Sequence, residues 1–126
     1  MKNNSIKNER IFDIHKRIYN FVIRVINLTK ALPKNTQNKP LIDQIIRSAS
    51  SMGANDQEAD GSITKKEFVH SYNVVRREGK ETLYWLSLIA DTNPNFASRM
   101  EKLRQECGEI IKIVSTIITK TRKNNQ

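Results

Sequence analysis

The stretch IFDIHKRIYNFVIRVINLTKAL, residues 11–32, decides the fold. Its apolar residues Ile11, Ile14, Ile18, Phe21, Val25, Leu28 and Leu32 advance in alternating steps of three and four. Only an α-helix gathers such positions on one face, and this alternation is the a/d seam by which helices pack side by side. Pro33 lacks an N–H and its ring clashes with the preceding turn, so the helix ends near Leu32. The first helix is expected over about residues 9–32. Polar residues Lys34 to Lys39 then lead to Pro40, which suits the first turn of a second helix.

The same spacing recurs to the end of the chain. A second helix, about 41–60, carries Leu41, Ile45, Ser48, Met52, Asn55 and Ala59 on a small, partly polar seam. Gly61 offers a stop, and Thr64-Lys65-Lys66-Glu67 is a capping box whose hydroxyl and carboxylate satisfy first-turn backbone donors. A third helix, about 65–91, aligns Phe68, Tyr72, Val75, Gly79, Thr82, Leu86 and Ile89. Asn93 and Pro94 are placed to cap and open the fourth, about 94–121, with Phe96, Met100, Leu103, Cys107, Ile110, Val114, Ile117 and Thr121. No stretch alternates as a strand would. The expected fold is an all-α, antiparallel, up-down-up-down four-helix bundle in one domain spanning residues 1–126, with frayed basic termini. Gly53 and Gly79 weaken helix interiors, which points to close packing at those positions. Val22, Ile26, Ile111 and Ile118 widen the apolar faces of helices one and four, as burial against another subunit would require.

Composition narrows the function. The 126 residues include 22 Lys and Arg against 13 Asp and Glu, a formal charge of +9, and a single Cys. One Cys forms no internal disulfide, and with two His it cannot complete a Cys/His zinc site. With no long apolar run and a polar start, neither a membrane span nor a signal peptide is expected, and a cytoplasmic setting follows. The excess charge lies at the two ends: residues 1–40 hold nine basic and two acidic side chains, and 92–126 seven and three, whereas 41–64 hold one and four. Arg10, Arg17 and Arg24 recur every seven residues on helix one with Lys16 beside them, and Lys112, Lys120, Arg122 and Lys123 gather on helix four. These eight are the candidate nucleic-acid contacts, since neutralised phosphates release counterions. Few aromatic residues accompany them, so binding would be mainly electrostatic and weakly sequence-specific.

Catalytic and metal chemistry finds no complete set. Glu67 and His70 form a single Glu-x-x-His where di-iron bundles use two, and they lie beside the seam. His15 and Cys107 have no nucleophile or base spaced to partner them, and the four glycines form no phosphate-binding loop. No enzyme activity, metal or cofactor is expected. Arg47, Asn55, Glu58, Glu81 and Trp85 are expected to form a structural network between helices two and three, because buried polar groups must be hydrogen-bonded.

The blocks RSASSMGAN at residues 47–55, Glu58-Ala59, TKKEFVH at 64–70 and ETLYWL at 81–86 resemble the bacterial four-helix bundle proteins encoded in intervening sequences of 23S rRNA genes. More distantly, the chain is similar to the accessory variability protein of diversity-generating retroelements, a branch that binds a reverse transcriptase and RNA. The likeness spans roughly residues 10–121. It implies a small α-helical bundle that assembles as a homopentameric ring, with no established catalytic activity and no defined cellular role. Asp56-Gln57 departs from the pattern, standing where apolar or aromatic residues are usual, a change that would act on a subunit contact. Two readings follow: a non-enzymatic homo-oligomer whose basic surface binds RNA or another acidic partner, or a protein-binding adaptor without a nucleic-acid role.

Overall fold

A computed structural model describes the backbone of residues 2–124 and the side chains of residues 14–124. Four helices follow one another: α1 (Lys2–Ala31), α2 (Asn38–Asp60), α3 (Lys65–Thr92) and α4 (Ala97–Lys123), the last preceded by a 3-10 turn over Pro94–Phe96. No strand occurs among the described residues. Each helix packs against two neighbours in the cyclic order α1, α2, α3, α4. Connections this short force successive helices to run antiparallel. The start of α2 accordingly meets the end of α3, where Asn38 and Asn93 exchange side-chain hydrogen bonds at 3.0 Å. The start of α3 likewise meets the end of α4, with Lys65 Nζ donating to the Asn124 carbonyl at 2.9 Å.

The seams fill the core. Ile14, Ile18, Phe21, Val25, Leu28 and Leu32 of the first helical segment are all buried, as the opening periodicity requires. On α4 the buried line is Met100, Leu103, Cys107, Ile110, Val114 and Ile118, so Ile118 rather than Ile117 faces inward at the far end. On α2 the stripe runs Asn38, Ile42, Ile45, Ala49, Met52, Asp56 and Ala59, with Ser48 beside it. That corrects the expected seam by one residue at two places: Ile42 replaces Leu41, and Asp56 replaces Asn55. Ser48 and Thr82 join their hydroxyls at 2.8 Å inside the α2–α3 interface.

Several boundaries differ from expectation for local reasons. α1 begins at Lys2 rather than near residue 9. At its other end Lys34 folds back and donates Nζ to the free carbonyls of Thr29 and Leu32, both at 2.6 Å, closing the helix ahead of the α2 turn. α2 starts at Asn38 rather than 41, because Asn35 Oδ1 accepts from the Asn38 amide at 2.8 Å and leaves Pro40 in the first turn. Thr64 caps α3, accepting from the Glu67 amide at 3.1 Å, while the Glu67 carboxylate accepts from the Ile63 amide at 3.1 Å. Asn93 does not cap the last helix. Its amide turns back to the Ile89 carbonyl of α3 at 3.0 Å, so Pro94 opens a 3-10 turn and α4 starts at Ala97 instead of 94.

Candidate nucleic-acid interface

α1 and α4 are neighbours, so the two basic ends of the sequence share one side of the bundle. They do not contribute equally. The Arg17 guanidinium grips Glu106 of α4 through Nη2 at 2.6 Å and Nε at 3.1 Å, and reaches Glu109 at 2.7 Å. The hydrogen bond from Arg17 holds the Glu106 carboxyl below the usual carboxylate range despite its partial burial, and the same bond raises the guanidinium's own value. Arg17 is thus a neutralised cross-helix tie and not one step of a continuous basic stripe. The side chain of Arg10 lies outside the described residues.

Two turns beyond Arg17, the picture changes. Arg24 is exposed and has no ion-pair partner among the described residues, and it faces a crevice of about 220 Å³ between the two helices. Arg24 and Asn27 of α1 form one wall, Arg99 and Lys102 of α4 the other, and the buried Leu28 and Leu103 the floor. No carboxylate lines it. Glu101, the nearest acid in sequence, lies off this face and pairs with Arg104 at 3.4 Å. Lys16, Lys112, Lys120, Arg122 and Lys123 are exposed elsewhere along these helices, and none forms an ion pair among the described residues. The final three complement the negative end of the α4 dipole. Sequence reading missed Arg99 and Lys102. Their i, i+3, i+4 spacing with Leu103, which faces the core, was the available signal.

The expected polar network forms only in part. Arg47 bridges Glu78 at 3.2 Å and also bonds Glu81, whose carboxylate accepts from the Trp85 indole N–H at 3.4 Å. Asn55 and Glu58 are not members. Asn55 turns its amide to the Ser51 carbonyl of its own helix at 2.9 Å, and Glu58 points to solvent with no partner among the described residues. Their place is taken by a cluster the sequence reading did not assemble. Asp56, 1% exposed, receives the Tyr72 hydroxyl at 2.9 Å and the His15 ring at 2.8 Å, and His15 Nε2 lies 3.4 Å from Asp60. These contacts pin three helices together. Burial, reinforced by the Asp56 charge, raises the ionisation of the Tyr72 phenol well above its ordinary range.

Cys107 is fully buried, its thiol donating to the Gly79 carbonyl at 3.3 Å, and burial pushes its ionisation up to about 12. Thiolate chemistry near neutral pH has no foothold there. Glu67 and His70 are both exposed, with Glu67 engaged at the α3 cap. No group of three or more His, Cys, Asp or Glu side chains arranged to hold a metal occurs among the described residues. No described helix is long and apolar enough to cross a membrane.

An all-α bundle of four helices, with cations along one interhelical side that have no ion-pair partner among the described residues, defines the class of protein. The model of the 23S rRNA-intervening sequence protein family matches residues 10–116, and the chain belongs to that family. It is similar to a solved Bacteroides thetaiotaomicron VPI-5482 protein of unknown function from the S23 ribosomal protein family. The two share 29% identity and superpose with a TM-score of 0.80, covering 86% of this chain and 97% of that one. No curated protein matches the chain.

Proposed function

We propose that this protein is a non-enzymatic, cytoplasmic, homo-oligomeric bundle that binds RNA through the basic side formed by α1 and α4. The observation that carries this reading is the pattern of neutralisation. The α4 acids Glu106 and Glu109 are tied to Arg17 and Glu101 to Arg104, which leaves Lys16, Arg24, Arg99, Lys102 and Lys112 on the α1 and α4 helices without ion-pair partners among the described residues. Such a surface attracts a polyanion and gains free energy from released counterions. Resemblance to the family supports assembly as a pentameric ring, in which this surface would repeat with the ring's symmetry. Tyr19 and Ile23 are exposed on α1 and supply apolar area for a subunit contact.

Fluorescence anisotropy of a labelled structured RNA, titrated at rising salt, tests the binding. Affinity that falls steeply and linearly on a log–log salt plot is expected, and no binding at low ionic strength overturns the reading. Light scattering tests the assembly, and a clean monomer at micromolar protein overturns that half. Capture of a protein partner that survives nuclease treatment, with no RNA affinity, would favour an adaptor instead.

A further inference from the structure

The geometry points to the α1–α4 crevice as a seat for a single phosphate group of an RNA strand, an inference that rests on the RNA-binding reading above and assigns its anchoring site. Two guanidiniums, one ammonium and one carboxamide converge there from two helices, and all four can donate hydrogen bonds. A phosphodiester carries only acceptors, and its two free oxygens suit the paired donors of an Arg fork. No aromatic ring lines the crevice, so it has no surface on which to stack a base. It would therefore position the strand without reading its sequence.

Two further features set this place apart from the other exposed cations. Arg99 and Lys102 stand in the first two turns of α4, where the helix dipole disfavours positive charge, and that first turn carries no acid to offset them. The cost of placing them there is recovered when an anion arrives. Glu106 of α4 lies close enough to Arg24 for the Arg24 charge to help lower its ionisation. Arg17 holds that carboxylate by two hydrogen bonds, so Arg24 stays open.

The test compares two charge-matched variants of the full chain for binding a labelled oligouridylate of about 12 nucleotides, a typical single-strand footprint. Arg24→Gln with Arg99→Gln should weaken binding about tenfold, as loss of charge-assisted hydrogen bonds does. Lys120→Gln with Arg122→Gln, which removes the same charge at the far end of α4, should cost no more than about threefold through the long-range field alone. Both pairs are exposed, and unchanged circular dichroism melting shows that each variant folds. Equal losses from the two pairs overturn the crevice and leave the general RNA reading standing. Failure of the unsubstituted protein to bind the oligonucleotide at low salt overturns the crevice, and failure to bind the structured RNA as well overturns both. Amide shifts of Arg24, Asn27, Arg99 and Lys102 on adding inorganic phosphate support the seat. A decaglutamate peptide that binds as tightly as the RNA and shifts the same amides reassigns it to carboxylates and overturns the proposal.

Discussion

The Tyr72 hydroxyl donates to the Asp56 carboxylate at 2.9 Å across the α2–α3 interface, and both residues are only 1% exposed. A carboxylate so placed is tolerable because its oxygens are hydrogen-bonded, here by Tyr72 and by His15 from α1. Tyr72→Phe should lower stability by about 1.5–3 kcal/mol, the usual worth of a hydrogen bond to a charged group. His15→Ala should destabilise similarly. Urea unfolding of both singles and the double checks this, with a coupling of about 0.5–3 kcal/mol expected for residues sharing one acceptor. Additive effects would mean that the cluster does not act as a unit.

The stability of the bundle should respond to pH on both sides. Glu106 is held below its unfolded value by Arg17, so its contribution is complete above about pH 4.3 and disappears as pH falls through the lowered folded value. Tyr72 is shifted the other way, chiefly by burial. Its contribution is complete below about pH 10 and is lost as pH climbs. Denaturant midpoints measured across pH should therefore decline at both extremes. Glu106→Gln should flatten the acid limb and Tyr72→Phe the alkaline limb, with neither variant altering the opposite one.

Gly79 and Gly108 are both helical, yet alanine should act on them with opposite signs. A Cβ on Gly79 would lie 3.0 Å from Ile111 Cγ1 and 3.5 Å from Met52 Cε, where α3 meets α4 and α2. A Cβ on Gly108 would meet nothing within 4 Å. Gly108→Ala should gain about 0.5–1 kcal/mol from reduced unfolded-state entropy. Gly79→Ala should lose about 1–3 kcal/mol to overpacking. Thermal melting of the two variants separates these outcomes, and stabilisation of both would show that Ile111 yields freely.

The fold was legible because each helix writes its packing face in steps of three and four, and the core positions of Ile14 to Leu32 follow that rule without exception. The site was harder to read where polar residues sit on or next to a seam. In α2 the neighbours Asn55 and Asp56 compete for one inward position, and composition favours burying the neutral amide. The 3-4 step from Ala49 through Met52 selects Asp56 instead, and only partners from two other helices make that carboxylate tolerable inside. Asn93 shows the same limit: its sequence context reads as a cap, but Asn38, distant along the chain, offers it competing hydrogen bonds. Charge misled in a similar way. A seven-residue spacing placed Arg17 and Arg24 on one stripe, while the acids that neutralise Arg17 alone come from α4.

That difference makes Arg17 a sensitive probe of how the basic side works. It does not line the crevice, so a purely local view predicts no effect of its removal on RNA affinity. Releasing Glu106, however, leaves a carboxylate free to turn toward Arg24, whose charge already acts on it. Arg17→Gln should then weaken oligouridylate binding about fivefold, the factor that 1 kcal/mol brings, in addition to a loss of about 1 kcal/mol in stability from the broken ion pair. Adding Glu106→Gln should restore most of the affinity. Adding Asp43→Asn, an equal change of charge at an exposed site on α2, should not. Equal rescue by both second substitutions would mean that net charge alone governs binding, and no loss from Arg17→Gln would show that Arg24 needs no protection from Glu106.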